Sequence, residues 1–159
     1  MPNWCYNEMT IYTDSASNKY NETKKEKIKK MEEQLKDFVK TSIIKSETEE
    51  SNSLTFQGVV PRPESEEQNW YDWNCLNWGC KWDAGEAFVD IEKDIVRLNF
   101  DTAWAPPIQW MEALTKKYPL LKIQNKINEE SEAFTGYIMA TNGKVNEFIV
   151  EPKMPGETV

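Results

Sequence analysis

The chain has 159 residues, enough for one domain with a proper core, since two domains of half that length would each be marginal. Its net charge of −8 repels phosphate backbones, which argues against a broad nucleic-acid-binding face. It has no histidine, which removes Ser-His-Asp and Cys-His catalysis, histidine general bases and nearly all ordinary zinc-enzyme sites.

No apolar run approaches 18 residues, so nothing in the sequence reads as a membrane span. The N-terminus lacks a charged region followed by an apolar stretch and does not read as a secretion signal. With three cysteines and no such signal, the expected setting is a reducing cytoplasm. Seventeen lysines stand against two arginines, so Arg62 and Arg97 each ask for a reason, and bidentate recognition of a carboxylate or phosphate is one.

In chain order, Asn3 to Thr13 alternates as a strand, with Cys5, Asn7, Met9 and Ile11 on one face and Trp4, Tyr6, Glu8, Thr10 and Tyr12 on the other. Asp14, Ser15 and Ser17 are cap-type residues before a long polar helix. In that helix Ile28, Met31, Leu35, Phe38 and Val39 form one apolar stripe, and the part from Lys19 to Lys30 is solvated. Lys45 to Ser53 reads as an acidic loop, Leu54 to Val60 as a short β-like run stopped by Pro61-Arg62-Pro63, and Glu64 to Gln68 as a second polar loop.

A dense aromatic segment follows, with Trp70, Tyr71, Trp73, Trp78 and Trp82 inside fourteen residues. Ala87–Glu92 and Ile95–Asp101 read as two strands, and in the second Val96, Leu98 and Phe100 oppose Arg97 and Asn99. Pro106-Pro107 starts a helix with Ile108, Met111, Leu114 and Tyr118 on one face, and Pro119 ends it. Leu121 to Ile127 is a strand, and Phe134–Thr141, Asn142-Gly143 and Lys144–Val150 make a hairpin around a type I′ turn.

The expected fold is therefore α+β: a ferredoxin-like split βαβ sheet with two helices on one face, a Trp-rich insert and a C-terminal β-hairpin. One domain spans 1–151, with the loop and insert at 41–83, and residues 152–159 form a loose tail.

Three pieces then point together: Met1-Pro2-Asn3-Trp4-Cys5-Tyr6-Asn7, Asn77-Trp78-Gly79-Cys80-Lys81-Trp82-Asp83, and Phe100-Asp101-Thr102-Ala103-Trp104-Ala105-Pro106-Pro107. With the Pro-rich turn and Phe134-Thr135-Gly136, they make the chain resemble the YubB-type ferredoxin-like (Api-like) family of phage and plasmid proteins. The resemblance runs from Pro2 to about Gly143 and is weakest over Asn18–Ser53. It implies the fold, a mobile-element origin and an accessory role, and it implies no reaction. Cys80 departs from it, standing where the Trp-Gly-x-Lys-Trp pattern has a small polar residue.

Other chemistry fits poorly. Cys5, Cys75 and Cys80 have the wrong spacing for a metal and lack a fourth soft ligand. Asp72, Asn74, Asn77 and Asp83 echo a calcium loop, but Leu76 takes a ligand slot and the turn glycine is missing. No glycine-rich phosphate loop exists and no cofactor is expected.

The aromatic segment has two readings. In one, Trp4, Trp78, Trp82 and Trp104 are core, packing the insert against the sheet edge. In the other, Tyr6, Trp70, Tyr71, Trp73, Trp78, Trp82 and Trp104 stack on a ligand whose anionic group is held by Arg62, Lys81 and Arg97. Tyr6 and Arg97 would lie on neighbouring central strands of the uncovered sheet face.

The leading expectation is a phage or mobile-element accessory binding protein that serves counter-defence by sequestering a small anionic nucleotide-type ligand. The alternative is an acidic inhibitor of a host protein, or a nucleic-acid mimic, using Glu47–Glu50 and Glu64–Glu67. A small-nucleotide hydrolase acting through Asp83 or Lys81 ranks third, so the chain is read as a non-enzyme. Self-association through the open sheet face or an edge strand is compatible with this layout.

Overall fold

The computed structural model describes residues 3–13, 22–47 and 51–151. Its elements are β1 (Trp4–Tyr12), α1 (Glu22–Ser42), β2 (Ile43–Lys45), β3 (Asn52–Leu54), two 3₁₀ turns (Phe56–Gly58 and Glu64–Asn69) and α2 (Trp70–Asn77). There follow β4 (Gly85–Ile91), β5 (Ile95–Ala103), α3 (Ile108–Lys117), β6 (Lys122–Glu129), β7 (Thr135–Thr141) and β8 (Lys144–Val150). The candidate caps Asp14, Ser15 and Ser17 and the tail from Pro152 lie outside the described residues.

All eight strands join one antiparallel sheet in the order β2-β3-β4-β5-β1-β6-β7-β8. Its centre, β4-β5-β1-β6, is the ferredoxin-like arrangement the sequence predicts. The β7–β8 hairpin extends one edge and β2–β3 the other.

Alternation decides which face is covered. Cys5, Asn7, Met9 and Ile11 of β1 are buried, as are Val96, Leu98 and Phe100 of β5 and Ile123, Asn125 and Ile127 of β6. Met31, Leu35 and Phe38 of α1 and Trp110, Met111 and Leu114 of α3 close over them. Burial pushes the Tyr118 hydroxyl up to about 12, helped by its 2.6 Å hydrogen bond to Asp37 of α1. The buried amides are linked in series: Asn7 Nδ2 donates to Cys5 O and Thr102 Oγ1, and Asn125 Nδ2 donates to Asn7 Oδ1 at 2.9 Å, while Asn125 Oδ1 has no hydrogen-bond partner among the described residues.

Three local expectations are corrected. The β-like run from Leu54 to Val60 stops at Leu54 and turns into the first 3₁₀ turn. There Asp83 Oδ1 accepts from Phe56 N at 2.7 Å, which turns the backbone and drives the Phe56 ring into the core. The Lys45–Ser53 loop begins and ends in paired strands, β2 and β3. The polar loop at 64–68 is a 3₁₀ helix that runs straight into α2, started by Glu66 N donating to Pro63 O.

The β6–β7 connection is organised by one buried carboxylate. Glu129 Oε2 accepts from Ser131 N (2.8 Å), Ser131 Oγ (2.5 Å) and Ala133 N (2.9 Å), and these bonds hold its carboxyl below the usual range. The unfolded chain therefore binds this proton more readily than the folded one. The stabilisation is complete above the ordinary glutamate value of about 4.3 and is lost as pH falls through the depressed folded value. Glu129→Gln is expected to lower the denaturation midpoint at neutral pH and to flatten its fall in acid, as read by urea unfolding from pH 7 to pH 3.

Candidate functional site

The insert is built around one buried amide. Asn74 sits in α2 with its carbonyl accepting from Trp78 N (2.8 Å) and Gly79 N (3.2 Å), which ends the helix. Its Oδ1 accepts from Arg62 Nη1 at 2.9 Å and its Nδ2 donates to Lys81 O at 2.9 Å. One side chain thus fixes the positions of both cations that flank the aromatic segment. Gly79 continues the turn at φ +94°, and a Cβ there would meet the Gln109 side chain at 2.2 Å, so the insert can sit this close to the start of α3 only with glycine.

Trp78 is fully buried, its Nε1 donating to Val60 O at 2.9 Å and its ring meeting Phe56 and Trp73 edge-on at 5.6 and 5.4 Å. The guanidinium of Arg62 lies 5.9 Å from the ring centroid and is loosely paired with Glu67 at 3.7 Å. Arg62 lines a cleft of about 400 Å³ together with Trp70, Trp82, Glu67 and Asp83.

Beyond Trp82 lies a second cation. Lys81 Nζ stands 4.5 Å from the Trp82 ring centroid, 4.8 Å from Trp104 and 5.8 Å from Tyr71. Among the described residues it has no carboxylate partner. Trp104 adopts φ +72°, a region that costs a bulky residue roughly 1–2 kcal/mol. The strain is held by Trp104 N donating to Asn3 O at 2.8 Å, and by Thr102 Oγ1 donating to Ala105 O just beyond. It leaves the indole exposed against Tyr71 at 6.1 Å, with Trp70 beyond at 5.9 Å from Tyr71 and Trp4 on Trp82 at 6.0 Å.

The expected core role of four tryptophans is thereby corrected. Trp78 is core, Trp4 is half-buried, and Trp82 and Trp104 are exposed with Trp70 and Tyr71. The other fully buried indole is Trp110 of α3, packed on Phe56 at 4.9 Å. Space is the physical reason: Phe56 and Trp110 already fill the interior, so further indoles are left at the surface around Lys81.

Tyr6 and Arg97 lie elsewhere, on the open sheet face, on neighbouring strands as expected. Tyr6 opposes Asp101, whereas Arg97 opposes Thr10 and is held by Asp90 (3.3 Å) and Glu92 (3.5 Å). Beside Tyr6 is a depression of about 700 Å³ lined by Glu8, Glu86, Asp101 and Phe88, with no lysine or arginine among the described residues of its wall. Burial, with Glu130 nearby, holds the Asp101 carboxyl above its usual range. The sites predicted as one set therefore divide. Arg62, Trp70, Tyr71, Trp73, Trp78, Lys81, Trp82 and Trp104 come together around the insert, apart from Tyr6 and Arg97 on the sheet.

This architecture, with a split βαβ centre and a closing hairpin, has a counterpart among known families. Residues 77–155 match the family model for the ferredoxin-like domain in Api92-like protein. The whole chain is also similar in fold to the crystal structure of protein api92 from Yersinia pseudotuberculosis. That likeness has a TM-score of 0.58 and 10% identity, and covers 96% of this chain and 100% of that one. No curated protein matches the sequence.

The Api92-like match begins at Asn77 and so includes Trp78, Lys81, Trp82 and Trp104, while Arg62, Glu67, Trp70, Tyr71 and Asn74 precede it. The cleft is thus assembled from both sides of that boundary. Asn74 and Glu67 were not among the residues the sequence pointed to for ligand binding. Asn74 carried one signal, an amide side chain within an aromatic helical turn, where asparagine is a poor helix former unless its side chain is used.

Proposed function

We propose that this chain is a small accessory binding protein that captures a planar anionic ligand of nucleotide type at its Trp-rich insert, in the service of counter-defence by a phage or other mobile element. The observation that carries the reading is Lys81, a cation without a carboxylate partner among the described residues, set among three partly exposed rings. Such a surface stacks on a base and neutralises its acidic group. Arg62, in the wall of the adjoining cleft with Trp70 and Trp82, adds a second positive charge. A net charge of −8 favours a small ligand over a polymer.

Binding without turnover is part of the proposal, because, of the two carboxylates lining the cleft, Glu67 is paired with Arg62 and Asp83 is committed to structural hydrogen bonds. Its Oδ2 accepts from Thr55 Oγ1, and its Oδ1 from Phe56 N and Ala84 N. Calorimetry against mononucleotides and cyclic nucleotides tests the reading. Saturable binding is expected, weakened about tenfold by Lys81→Ala, with the nucleotide recovered intact. If no nucleotide binds the folded protein, the reading fails; turnover lost in Asp83→Ala would favour a hydrolase.

The open face supports a second reading, an acidic surface that docks a basic host protein. Its motivation is the grouping of Glu8, Glu86 and Asp101 beside the exposed rings of Tyr6 and Phe88. Here the discriminating experiment is charge reversal at Glu86 and Asp101, which would abolish partner capture while sparing nucleotide binding.

A further inference from the structure

The Arg62 cleft contains an internal occupant. Of its two carboxylates, Asp83 is held by three hydrogen bonds to Thr55, Phe56 and Ala84, and has a structural role. Glu67 differs: its side chain is 70% exposed and, among the described residues, its polar contact is the 3.7 Å approach to Arg62 Nη2. Arg62 is itself well anchored, with Nη1 on Asn74 Oδ1, its plane beside Trp78 and its side chain 19% exposed. The guanidinium is therefore fixed while its free edge is covered by a carboxylate that can leave.

We infer that the Nη2 edge of Arg62 is the oxyanion subsite of the cleft, and that Glu67 occupies it until a ligand's phosphate or carboxylate replaces it. This rests on the proposed capture of a planar anion and adds which atom holds the acidic group and what competes for it. Geometry supports the exchange. Trp70 and Trp82 stand in the walls of the same cleft, so a ring placed against them carries its acidic substituent towards Arg62. An exposed ion pair near 4 Å is worth at most about 1 kcal/mol, which an incoming dianion at a fixed guanidinium exceeds. Glu67 then acts as a threshold for the anion subsite, which only an acidic group that binds Arg62 better than a surface carboxylate can cross.

The test uses adenosine 5′-monophosphate and adenosine as probes, with tryptophan fluorescence and calorimetry on the full chain. Glu67→Gln is expected to tighten the monophosphate about three- to fivefold and to leave adenosine unchanged. Glu64→Gln makes the same change in net charge on the same 3₁₀ turn and is expected to have little effect. The gain from Glu67→Gln should vanish when Arg62 is also replaced by glutamine, which removes the charge Glu67 competes for. If the monophosphate binds but Glu67→Gln matches wild type or Glu64→Gln, or the gain survives without Arg62, the inference is overturned and the proposed function stands. If the folded protein binds neither probe, the inference is overturned, and the proposed function falls with it when no other mononucleotide or cyclic nucleotide binds.

Discussion

Trp78→Ala is expected to cost about 3–5 kcal/mol, the range for removing a fully buried large aromatic side chain. Three separate losses add up at this position. The indole fills the space between Phe56 and Trp73, and neither ring can collapse far, since Phe56 is itself pinned against Trp110 at 4.9 Å and Phe100 at 6.1 Å. Its Nε1 satisfies Val60 O, which would otherwise be left without that donor. Its ring also backs the Arg62 guanidinium. Urea denaturation would show the midpoint falling with an unchanged slope if the native state is merely destabilised. Trp78→Phe should recover part of the loss by refilling volume while still losing the Nε1 bond. A cost below about 1 kcal/mol for Trp78→Ala would mean that the insert is not part of the core.

The parts of the fold that were legible in the sequence are those set by local periodicity. The alternation in β1 fixes which of Cys5 and Tyr6 is buried, and the stripe in α1 selects Met31, Leu35 and Phe38. The hairpin turn is equally local: Asn142 at φ +50° and Gly143 at φ +76° take up the left-handed backbone that the dipeptide favours. What was not legible depended on partners distant in sequence. Phe56 leaves the strand because of Asp83, 27 residues away. β2 and β3 are three residues each, too short for a period to register, and they form because β4 offers an edge.

The tryptophans were hardest to place because residue type fixes neither burial nor exposure. Trp78 and Trp104 are equally apolar, yet one lies under Val60 and the other is turned outwards by a strained backbone. Alternation placed Arg97 on the open face, but only the strand register reveals that Asp90 sits beside it. The candidate site was therefore readable as a set of residue types and unreadable as a grouping, which is why Arg97 was expected beside rings it does not reach.

Asn74→Ala should separate the stability of the insert from the function of its cations. Removing the amide leaves Arg62 Nη1 and Lys81 O without the partners they have now, in a position where Asn74 itself is buried. Each lost partner in such a setting costs about 1–3 kcal/mol, so a total of roughly 2–4 kcal/mol is expected. The larger consequence is positional. Arg62 would remain charged but lose the bond that fixes its plane, and the Lys81 backbone would lose its tie to α2. A guanidinium free to follow Glu67 is a weaker anion subsite than one held against Trp78, so ligand affinity should fall with the charges unchanged. Asn74→Asp is the discriminating companion. It keeps an acceptor for Arg62 and strengthens that bond, but it cannot donate to Lys81 O. If Arg62 is the principal anion holder, Asn74→Asp should weaken binding by introducing a competing charge beside it, even where the fold survives. If Lys81 dominates, Asn74→Ala and Asn74→Asp should weaken binding equally, because both lose the same bond to the Lys81 carbonyl. Calorimetry on the two variants, with circular dichroism to confirm folding, therefore ranks the two cations without removing either.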